Sequence, residues 1–273
     1  MLREYLENVR KQAPMVHSIT NYVTANDVAN IILACGAKPI MADDLLEVED
    51  ITALSKALNI NIGTLQQRTV ASMLAAGKMA NKLGHKVLLD PVGVGASRWR
   101  TETVAELIKE VSFDVIRGNM SEIKCLTGLS SASGGVDALP ADSVTGENIA
   151  EAVAFAKTAA TKLGCVLAIT GAIDLVTDGK SCYVIRGGRS EMSHVTGSGC
   201  QLSGMMTAYL AANPEHTLEA AAAAVCAMNV AGEMAWANLK MDEGNATYRN
   251  RIIDAVYRMD GEILERGANY EVQ

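Results

Sequence analysis

Short apolar segments alternate along the chain with longer segments in which apolar residues recur every three or four positions. The short segments have the length of buried strands, and the longer ones have helical periodicity. The predicted strands are Ala37–Met41, Asn59–Gly63, His85–Asp90, Val115–Asn119 and Cys165–Thr170. The predicted helices are Met1–Gln12, Arg68–Leu83, Ser121–Thr127, Gly146–Leu163, Cys200–Ala212, 217–239 and 247–267. This alternation predicts an α/β fold with a mostly parallel central sheet.

The pattern changes after the last of these strands. Ile173–Thr177 and Ser181–Ile185 flank the turn residues Asp178-Gly179, which predicts an antiparallel hairpin. The most polar and turn-rich stretch is 130–146, which we interpret as a surface loop. Because no segment has the composition of a linker, we expect residues 1–273 to form a single domain.

A glycine turn precedes the helix that starts near Cys200. The β-branched approach Met192–Thr196 predicts a strand, and Gly197-Ser198-Gly199 follows it. Glycines before a helix N-terminus let backbone N–H groups point at an anion such as phosphate. The dipole of the helix is expected to lower the pKa of a thiol in its first turn. An ordinary strand–helix turn and a buried, inert cysteine are the alternatives, and the sequence leaves both open.

Other polar residues stand at the predicted strand ends. In an open parallel sheet, ligands bind beyond the carboxyl ends of the strands, so these residues are expected to share one crevice. Asp90 could hold Mg²⁺ or cap a turn. Glu122 could position a metal-bound water or complete a capping box with Asn119. Arg117 could bind phosphate with two hydrogen bonds or form a surface ion pair.

Composition and charge narrow the range of partners. The chain is 49% hydrophobic but only 4% aromatic, so its core is aliphatic. A net charge of -7 without a basic block argues against nucleic acid and anionic membranes as partners. The apolar run Ala220–Gly232 is shorter than the ~20 residues of a membrane span and predicts a buried helix. Six scattered cysteines without a CxxC pair predict a cytoplasmic protein with reduced thiols.

Several familiar motifs are missing from the sequence. Leu202 stands where a dinucleotide-binding GxGxxG would need its last glycine, and no Walker A sequence is present. The nucleophile elbow GxSxG is also missing. The four histidines lack the spacing of zinc ligands, so we assign no zinc site.

Taken in order, the motifs resemble those of the hydroxyethylthiazole kinase family. The matching segments are Val16–Val23, Pro39–Ala42, Asn61–Leu65, Leu89–Gly93, Val115–Asn119, Ala168–Gly171 and Val195–Cys200. The resemblance implies a ribokinase-like fold, which is a three-layer α/β/α domain without a separate lid. It also implies ATP-dependent phosphorylation of the primary alcohol of 4-methyl-5-(2-hydroxyethyl)thiazole in thiamine biosynthesis or salvage. Mg²⁺ as cofactor and a homotrimer with active sites between subunits follow from the same resemblance.

The resemblance also implies roles for individual residues. The catalytic set is Cys200 with Gly197, Ser198 and Gly199, and Cys200 occupies the place where sugar-kinase relatives carry a catalytic Asp. Substrate binding falls to Met41, Asn21 and Gly63. ATP binding falls to Arg117, Thr170 and Gly197, and the residues near Mg²⁺ are Asp90 and Glu122.

Three departures from the family pattern are present. Ser18 and Ser198 replace a common Asn and a common Thr, which are small polar exchanges, whereas Ala42-Asp43-Asp44 is more acidic than the typical stretch and could alter the substrate pocket. This acidic stretch, and Cys200 in the place of a catalytic Asp, leave two alternatives open at this point. One is a kinase for a related small alcohol such as hydroxymethylpyrimidine. The other is a thiazole- or nucleotide-binding protein that has lost its catalytic base.

Overall fold

The computed structural model describes residues 2–128 and 143–273. Most of the predicted loop at 130–146 lies outside the described residues. One sheet organises the described part of the chain. Its strands are β1 (Met15–Ile19), β2 (Lys38–Met41), β3 (Ala57–Asn61), β4 (Lys86–Asp90), β5 (Val115–Asn119), β6 (Val166–Thr170), β7 (Asp174–Thr177), β8 (Cys182–Ile185) and β9 (Tyr270–Val272).

The order across this nine-stranded sheet is β2-β1-β3-β4-β5-β6-β7-β8-β9. Strands β1 to β6 are parallel to one another, whereas β7, β8 and β9 are each antiparallel to the strand before them. The mixed, mostly parallel sheet and the hairpin are therefore confirmed. All carboxyl ends from β1 to β6 lie along one edge of the sheet.

Helices cover both faces of this sheet. They are α1 (Arg3–Gln12), α2 (Ala25–Ala34), α3 (Val48–Leu54), α4 (Gln67–Leu83), α5 (Arg98–Glu110), α6 (Met120–Leu126), α7 (Ile149–Leu163), α8 (Ser198–Ala212), α9 (Thr217–Ala237), α10 (Asn245–Arg258) and α11 (Gly261–Gly267). Helices α1, α2 and α8 to α11 pack on one face, and α3 to α7 pack on the other. Successive strand residues alternate between the two cores, as Leu88 and Leu89 do. This is the predicted three-layer α/β/α arrangement.

Two predictions about elements were wrong, and one buried strand was not predicted. Ser190–His194 forms a 3₁₀ helix, so Met192–Thr196 is not a strand. The last predicted helix is two helices, because the side chain of Asp260 accepts a hydrogen bond from Ile263 N–H and caps a new start. The polar segment after Pro14, not predicted as a strand, is the buried strand β1, whose His17 and Ser18 are both inside.

The Ala-rich run belongs to α9, which is longer than the run itself. With 21 residues, α9 is long and apolar enough to cross a membrane by length and composition. Its most apolar window is 72% buried inside the protein, where it packs against α8, α10 and the strands β6 to β8. We therefore interpret α9 as a core helix, as the sequence predicts.

Candidate active site

The polar residues at the strand ends meet the first turn of α8. Cys200 is buried there, and two amides hold its sulfur. Nδ2 of Asn21 donates to Sγ at 3.1 Å, and Nδ2 of Asn61 donates at 3.3 Å. The oxygen of Asn21 accepts hydrogen bonds from both the N–H and the hydroxyl of Thr24, which fixes the orientation of this amide.

The expected lowering of the Cys200 pKa is wrong. Burial raises the pKa of this thiol, and the nearby Asp90 carboxylate raises it further. Hydrogen bonds from Thr24 and Asn61 and the charge of Arg117 act in the opposite direction but are weaker. Loss of solvation is the largest of these effects, so burial favours the neutral thiol form of Cys200.

Asp90 lies at the end of β4 and is 1% exposed. Its Oδ2 accepts hydrogen bonds from Asn61 Nδ2 at 2.8 Å and from Ser203 Oγ at 2.7 Å. Arg117 Nη1 lies 3.7 Å from the same oxygen. Its other oxygen, Oδ1, is buried and has no hydrogen-bond partner among the described residues. Burial raises the pKa of this carboxyl against the lowering effect of these neighbours.

Arg117 connects this carboxylate to the end of β6. Its Nη2 donates to Thr170 Oγ1 at 2.7 Å, and the side chain is 14% exposed. Gly199 packs directly on the guanidinium, so a Cβ at that position would collide with it. This glycine therefore makes room for Arg117. The neighbouring glycine of the turn, Gly197, has a left-handed backbone, with φ of 82°.

The predicted anion hole lies at the first turn of α8. Ser198 N–H already donates to the carbonyl of Val195 at 3.3 Å, and Gln201 N–H donates to the carbonyl of Gly197 at 2.8 Å. A helix leaves the N–H groups of its first turn without intrahelical partners. Those of Gly199 and Cys200 are consequently the donors best suited to an incoming anion.

Glu122 forms a capping box with Asn119 at the start of α6. Its Oε2 accepts from Asn119 N–H and its Oε1 accepts from Gly93 N–H, both at 2.8 Å. Burial, and then the charge of Asp90, raises its pKa to about 7. The capping interpretation is thus confirmed. The Glu122 side chain also lies close enough to Asp90 for the charge of that carboxylate to affect its pKa.

These two carboxylates fit a hard cation. No group of three or more His, Cys, Asp or Glu residues gathers in the described ranges. Mg²⁺ is commonly held by one or two carboxylates together with phosphate oxygens and waters. The unpartnered Oδ1 of Asp90 is a free oxygen ligand, and a cation beside Glu122 would favour its charged form.

Of the residues predicted to bind substrate, some lie in the hydrogen-bond network around Cys200 and one lies apart from it. Gly63 belongs to the network, because its N–H donates to Asn61 Oδ1 at 2.8 Å and Asn21 Nδ2 donates to the same oxygen at 3.0 Å. Met41 lies apart from the network at the end of the outer strand β2. Two strands separate β2 from β4, which ends in Asp90.

The sequence analysis missed two residues that join the site. Asn61 links Cys200, Asp90 and Gly63, and its signal is an amide at the carboxyl end of the strand β3. Ser203 reaches Asp90 from one turn after Cys200 on the same side of α8, a spacing that could have been recognised.

An anion-binding helix start, an arginine and two buried carboxylates at the carboxyl edge of a parallel sheet define a phosphoryl-transferring enzyme. The fold agrees with this class. A ribokinase-like superfamily protein from Enterococcus faecalis superposes with a TM-score of 0.63 at 13% identity, covering 94% of this chain and 90% of its own. At this identity the likeness concerns the fold alone.

More similar relatives give the family. The profile of the "Hydroxyethylthiazole kinase family" matches residues 6–262. The hydroxyethylthiazole kinase of Clostridium acetobutylicum is 54% identical over 271 residues, which cover 99% of each chain. The solved hydroxyethylthiazole kinase structure from Pyrococcus horikoshii superposes with a TM-score of 0.88 at 32% identity, covering 100% of this chain and 98% of its own. The chain belongs to the hydroxyethylthiazole kinase family and is a kinase with the ribokinase-like fold.

Proposed function

We propose that this chain transfers the γ-phosphoryl group of ATP to the hydroxyl of the thiazole alcohol at the α8 N-terminus. Membership in the family supports the substrate class. The observation that carries the proposal is the placement of Cys200 and Asp90. Asn61 donates hydrogen bonds to both the Cys200 sulfur and Asp90 Oδ2 beside the first turn of α8, while Asp90 Oδ1 keeps no partner among the described residues.

The phosphate groups meet fixed donors in this proposal. Arg117 is held by Thr170 and keeps its Nε without a partner among the described residues. The N–H groups of Gly199 and Cys200 receive the charge that develops on the transferred group. Because these donors are oriented before the substrate arrives, little reorganisation is needed during transfer.

The group proposed to contact the acceptor alcohol is the Cys200 thiol, which is a poor proton acceptor. Phosphoryl transfer passes through a loose transition state, in which positioning and charge stabilisation outweigh base strength. A thiol whose pKa is raised by burial cannot take up a second proton, so Cys200 orients the alcohol oxygen by its hydrogen bond. The alcohol proton leaves late, when the oxygen already carries the new bond to phosphorus and has become acidic, and it passes to an oxygen of the transferred phosphoryl group.

Asp90 and Glu122 would hold Mg²⁺. The ion would supply charge neutralisation for the triphosphate. Asn61 and Ser203 keep the Oδ2 oxygen of Asp90 occupied, so the Oδ1 oxygen is the one turned toward the ion.

A second copy of the chain would complete the substrate pocket in a homotrimer. Apolar side chains at the carboxyl ends of β1 and β2 are exposed, and we name them the β2-edge surface: Tyr22, Val23, Met41, Leu45 and Leu46. Leu46 is 94% exposed, which is costly unless another chain covers it. Covering this surface would bury Met41, the predicted thiazole contact. We further propose that residues 1–273 act as one cytoplasmic domain.

Parallel assays test the substrate. ATP consumption is measured with the thiazole alcohol and with hydroxymethylpyrimidine at equal concentrations. We expect phosphate ester formation with the thiazole alcohol and a lower kcat/KM with the pyrimidine. The reverse preference would support the related kinase, and calorimetric binding of both substrates without turnover would support the non-catalytic protein.

Light scattering coupled to size exclusion tests the assembly. The unsubstituted chain should elute with three times the mass of one copy, whereas Leu46→Glu should shift the mass downward. Leu83→Glu, an exposed leucine at the end of α4, is the control. A single-copy mass for the unsubstituted chain would contradict the homotrimer.

A further inference from the structure

Arg100 reaches back from the first turn of α5 across two loops of the site. Its Nη1 donates to the carbonyls of Ile62 and Val92, both at 2.7 Å, and its Nη2 donates to the carbonyl of Gly63 at 2.8 Å. In the described parts of the chain, no carboxylate lies within ion-pairing distance of this guanidinium. Its donors are therefore directed at the backbone of the loops after β3 and β4.

Two of these carbonyls belong to peptide units whose N–H groups bind site residues. In a trans peptide the C=O and the following N–H point in opposite directions. The carbonyl of Ile62 is on Arg100, and Gly63 N–H on the same unit donates to Asn61 Oδ1. The carbonyl of Val92 is on Arg100, and Gly93 N–H donates to Glu122 Oε1 at 2.8 Å.

We propose that Arg100 is a positioning residue that aligns these two peptide units and, through them, Asn61 and Glu122. Its effect on catalysis rests on the proposed function, because Asn61 in turn holds Cys200 and Asp90. One guanidinium thus positions both Asn61 and Glu122. Rotation of either peptide unit would withdraw a donor from Asn61 or from Glu122.

Arginine suits this task because of its planar fork. The guanidinium presents several N–H donors in a fixed geometry, so one side chain can hold three carbonyls at once. A lysine ammonium is a compact charge on a flexible stem and lacks this fork. Arg100→Lys should therefore keep the charge and the fold but lose the alignment.

Amide hydrogen exchange by NMR tests the alignment without any assay of activity. In Arg100→Lys, we expect exchange at Gly63 and Gly93 to accelerate about tenfold or more, while Gly204 inside α8 stays unchanged. Arg98→Lys is the matched control, because Arg98 is exposed and pairs only locally with Glu102 among the described residues. Unchanged exchange at both Gly63 and Gly93 in a folded Arg100→Lys would overturn the proposal.

Kinetics test the consequence for the reaction. Arg100→Lys should lower kcat about tenfold to a hundredfold, since small misplacements of reacting groups are costly. KM for ATP should stay within about twofold, because Arg117 and Thr170 are held independently. A kcat within about twofold of the unsubstituted chain would overturn the positioning role, as would an equal loss in Arg98→Lys.

The two readouts separate this proposal from the proposed function. If the unsubstituted chain phosphorylates no thiazole alcohol but the two amides lose protection in Arg100→Lys, the alignment stands and the function falls. If Arg100→Lys fails to fold, Arg100→Gln is measured in the same way, since it keeps a planar donor group and a similar stem. Retained protection at both glycines in that variant would equally overturn the proposal.

Discussion

Asp90 and Asp174 are two buried aspartates on the same sheet whose surroundings differ in one respect. Burial raises the pKa of both. Asp174 has a partner for each oxygen: Oδ1 accepts from Gly171 N–H at 2.9 Å and Oδ2 from Asn229 Nδ2 at 2.8 Å. Asp90 concentrates its partners on Oδ2 and leaves Oδ1 without one among the described residues.

For these two aspartates, this difference separates a carboxylate that a ligand would complete from one whose oxygens are both satisfied. A buried polar atom without a partner is costly, so such atoms persist mainly where a ligand completes them. Both oxygens of Asp174 accept hydrogen bonds, and the one from Gly171 N–H holds the loop after β6, next to Thr170. Under the proposed function, an ion or substrate would complete the free oxygen of Asp90, so activity is the property that we expect to depend on it.

The largest effect is expected from Asp90→Asn. The amide keeps the shape and can still meet Ser203, but it removes the negative charge that Mg²⁺ and Arg117 require. We expect kcat to fall by about a hundredfold to a thousandfold, in the range seen when one preorganised electrostatic group is removed. Steady-state kinetics with the thiazole alcohol measure the effect.

Asp174→Asn is the control for this comparison. An asparagine can present its oxygen to Gly171, and Asn229 can rotate its amide to offer an oxygen to the new NH₂ group. We expect kcat to stay within about threefold of the unsubstituted chain. Equal losses in the two variants would break the distinction between the two carboxylates.

Gly197→Val is expected to have the next largest effect. Gly197 has a left-handed backbone, and a side chain there would overlap Thr24, which holds Asn21. The added valine should displace the first turn of α8 from the Asp90 side of the site. We expect kcat to fall about a hundredfold, as for a misplacement of roughly 1 Å.

Gly84→Val separates backbone strain from crowding. Gly84 has a φ of 69°, and no atom lies within 4 Å of the point that a Cβ would occupy, so a valine is strained there without touching the site. Both variants should lower Tm, but only Gly197→Val should lower kcat. A normal rate in Gly197→Val would contradict the assignment of the anion hole to this turn.

Most of the parallel part of the sheet could be predicted from sequence because its strands contain short apolar runs, which are nearly continuous in β4 and β6. Val115–Asn119 was predicted with its observed bounds, and β4 differs from its prediction by one residue. Strand β1 was missed because its buried His17 and Ser18 look like loop residues. The β-branched Val195-Thr196 predicted a strand at 192–196, but the polar residues before them form a 3₁₀ helix instead.

The site could be predicted as a set of strand ends but not as a network. Sequence patterns identify Cys200 and Asp90 as candidates, yet the shared partner Asn61 depends on which strands are neighbours. The pKa of Cys200 depends on burial and on the distance to Asp90, and neither can be obtained from the position of the thiol in a helix. The role of Gly199 required the position of Arg117, a residue from another strand.

Cys200→Ala tests whether the thiol, in addition to Asp90, acts on the alcohol substrate. If Cys200 orients the alcohol, its removal should lower kcat about tenfold with little change in KM, less than the loss of a true general base. Cys200→Asp should keep or raise kcat, because a carboxylate is a better proton acceptor than a neutral thiol. Unchanged kcat in Cys200→Ala would remove the thiol from the mechanism and leave Asp90 as the working group.

Cys226→Ala is the matched control for this thiol. Cys226 is also buried, but it lies in the core on α9, and burial raises its pKa to about 12. Its truncation should lower Tm by leaving a small cavity and should not change kcat. A loss of kcat in Cys226→Ala would show that truncating a buried cysteine lowers kcat through a packing defect. The loss in Cys200→Ala could then not be assigned to contact with the alcohol.

The smallest effect concerns stability and belongs to Asp174. Burial raises its pKa from the ordinary value of 3.8 to about 6, so the folded state holds this proton more tightly than the unfolded chain. Its contribution is therefore fully present below about pH 3.8 and is lost as pH rises through about 6. The shift corresponds to at most about 3 kcal/mol of unfolding free energy.

Urea unfolding of the unsubstituted chain and of Asp174→Asn, at about pH 4 and about pH 7.5, measures this contribution. The asparagine does not titrate, so its stability relative to the unsubstituted chain should rise with pH by up to about 3 kcal/mol. A difference that stays constant between the two pH values would mean that folding does not raise the pKa of Asp174. The buried Asp174 carboxylate, with both oxygens hydrogen-bonded, would then bear its charge without a cost in stability. The hydrogen bonds of Asp174 would in that case no longer distinguish it from Asp90, the carboxylate that we propose binds an ion.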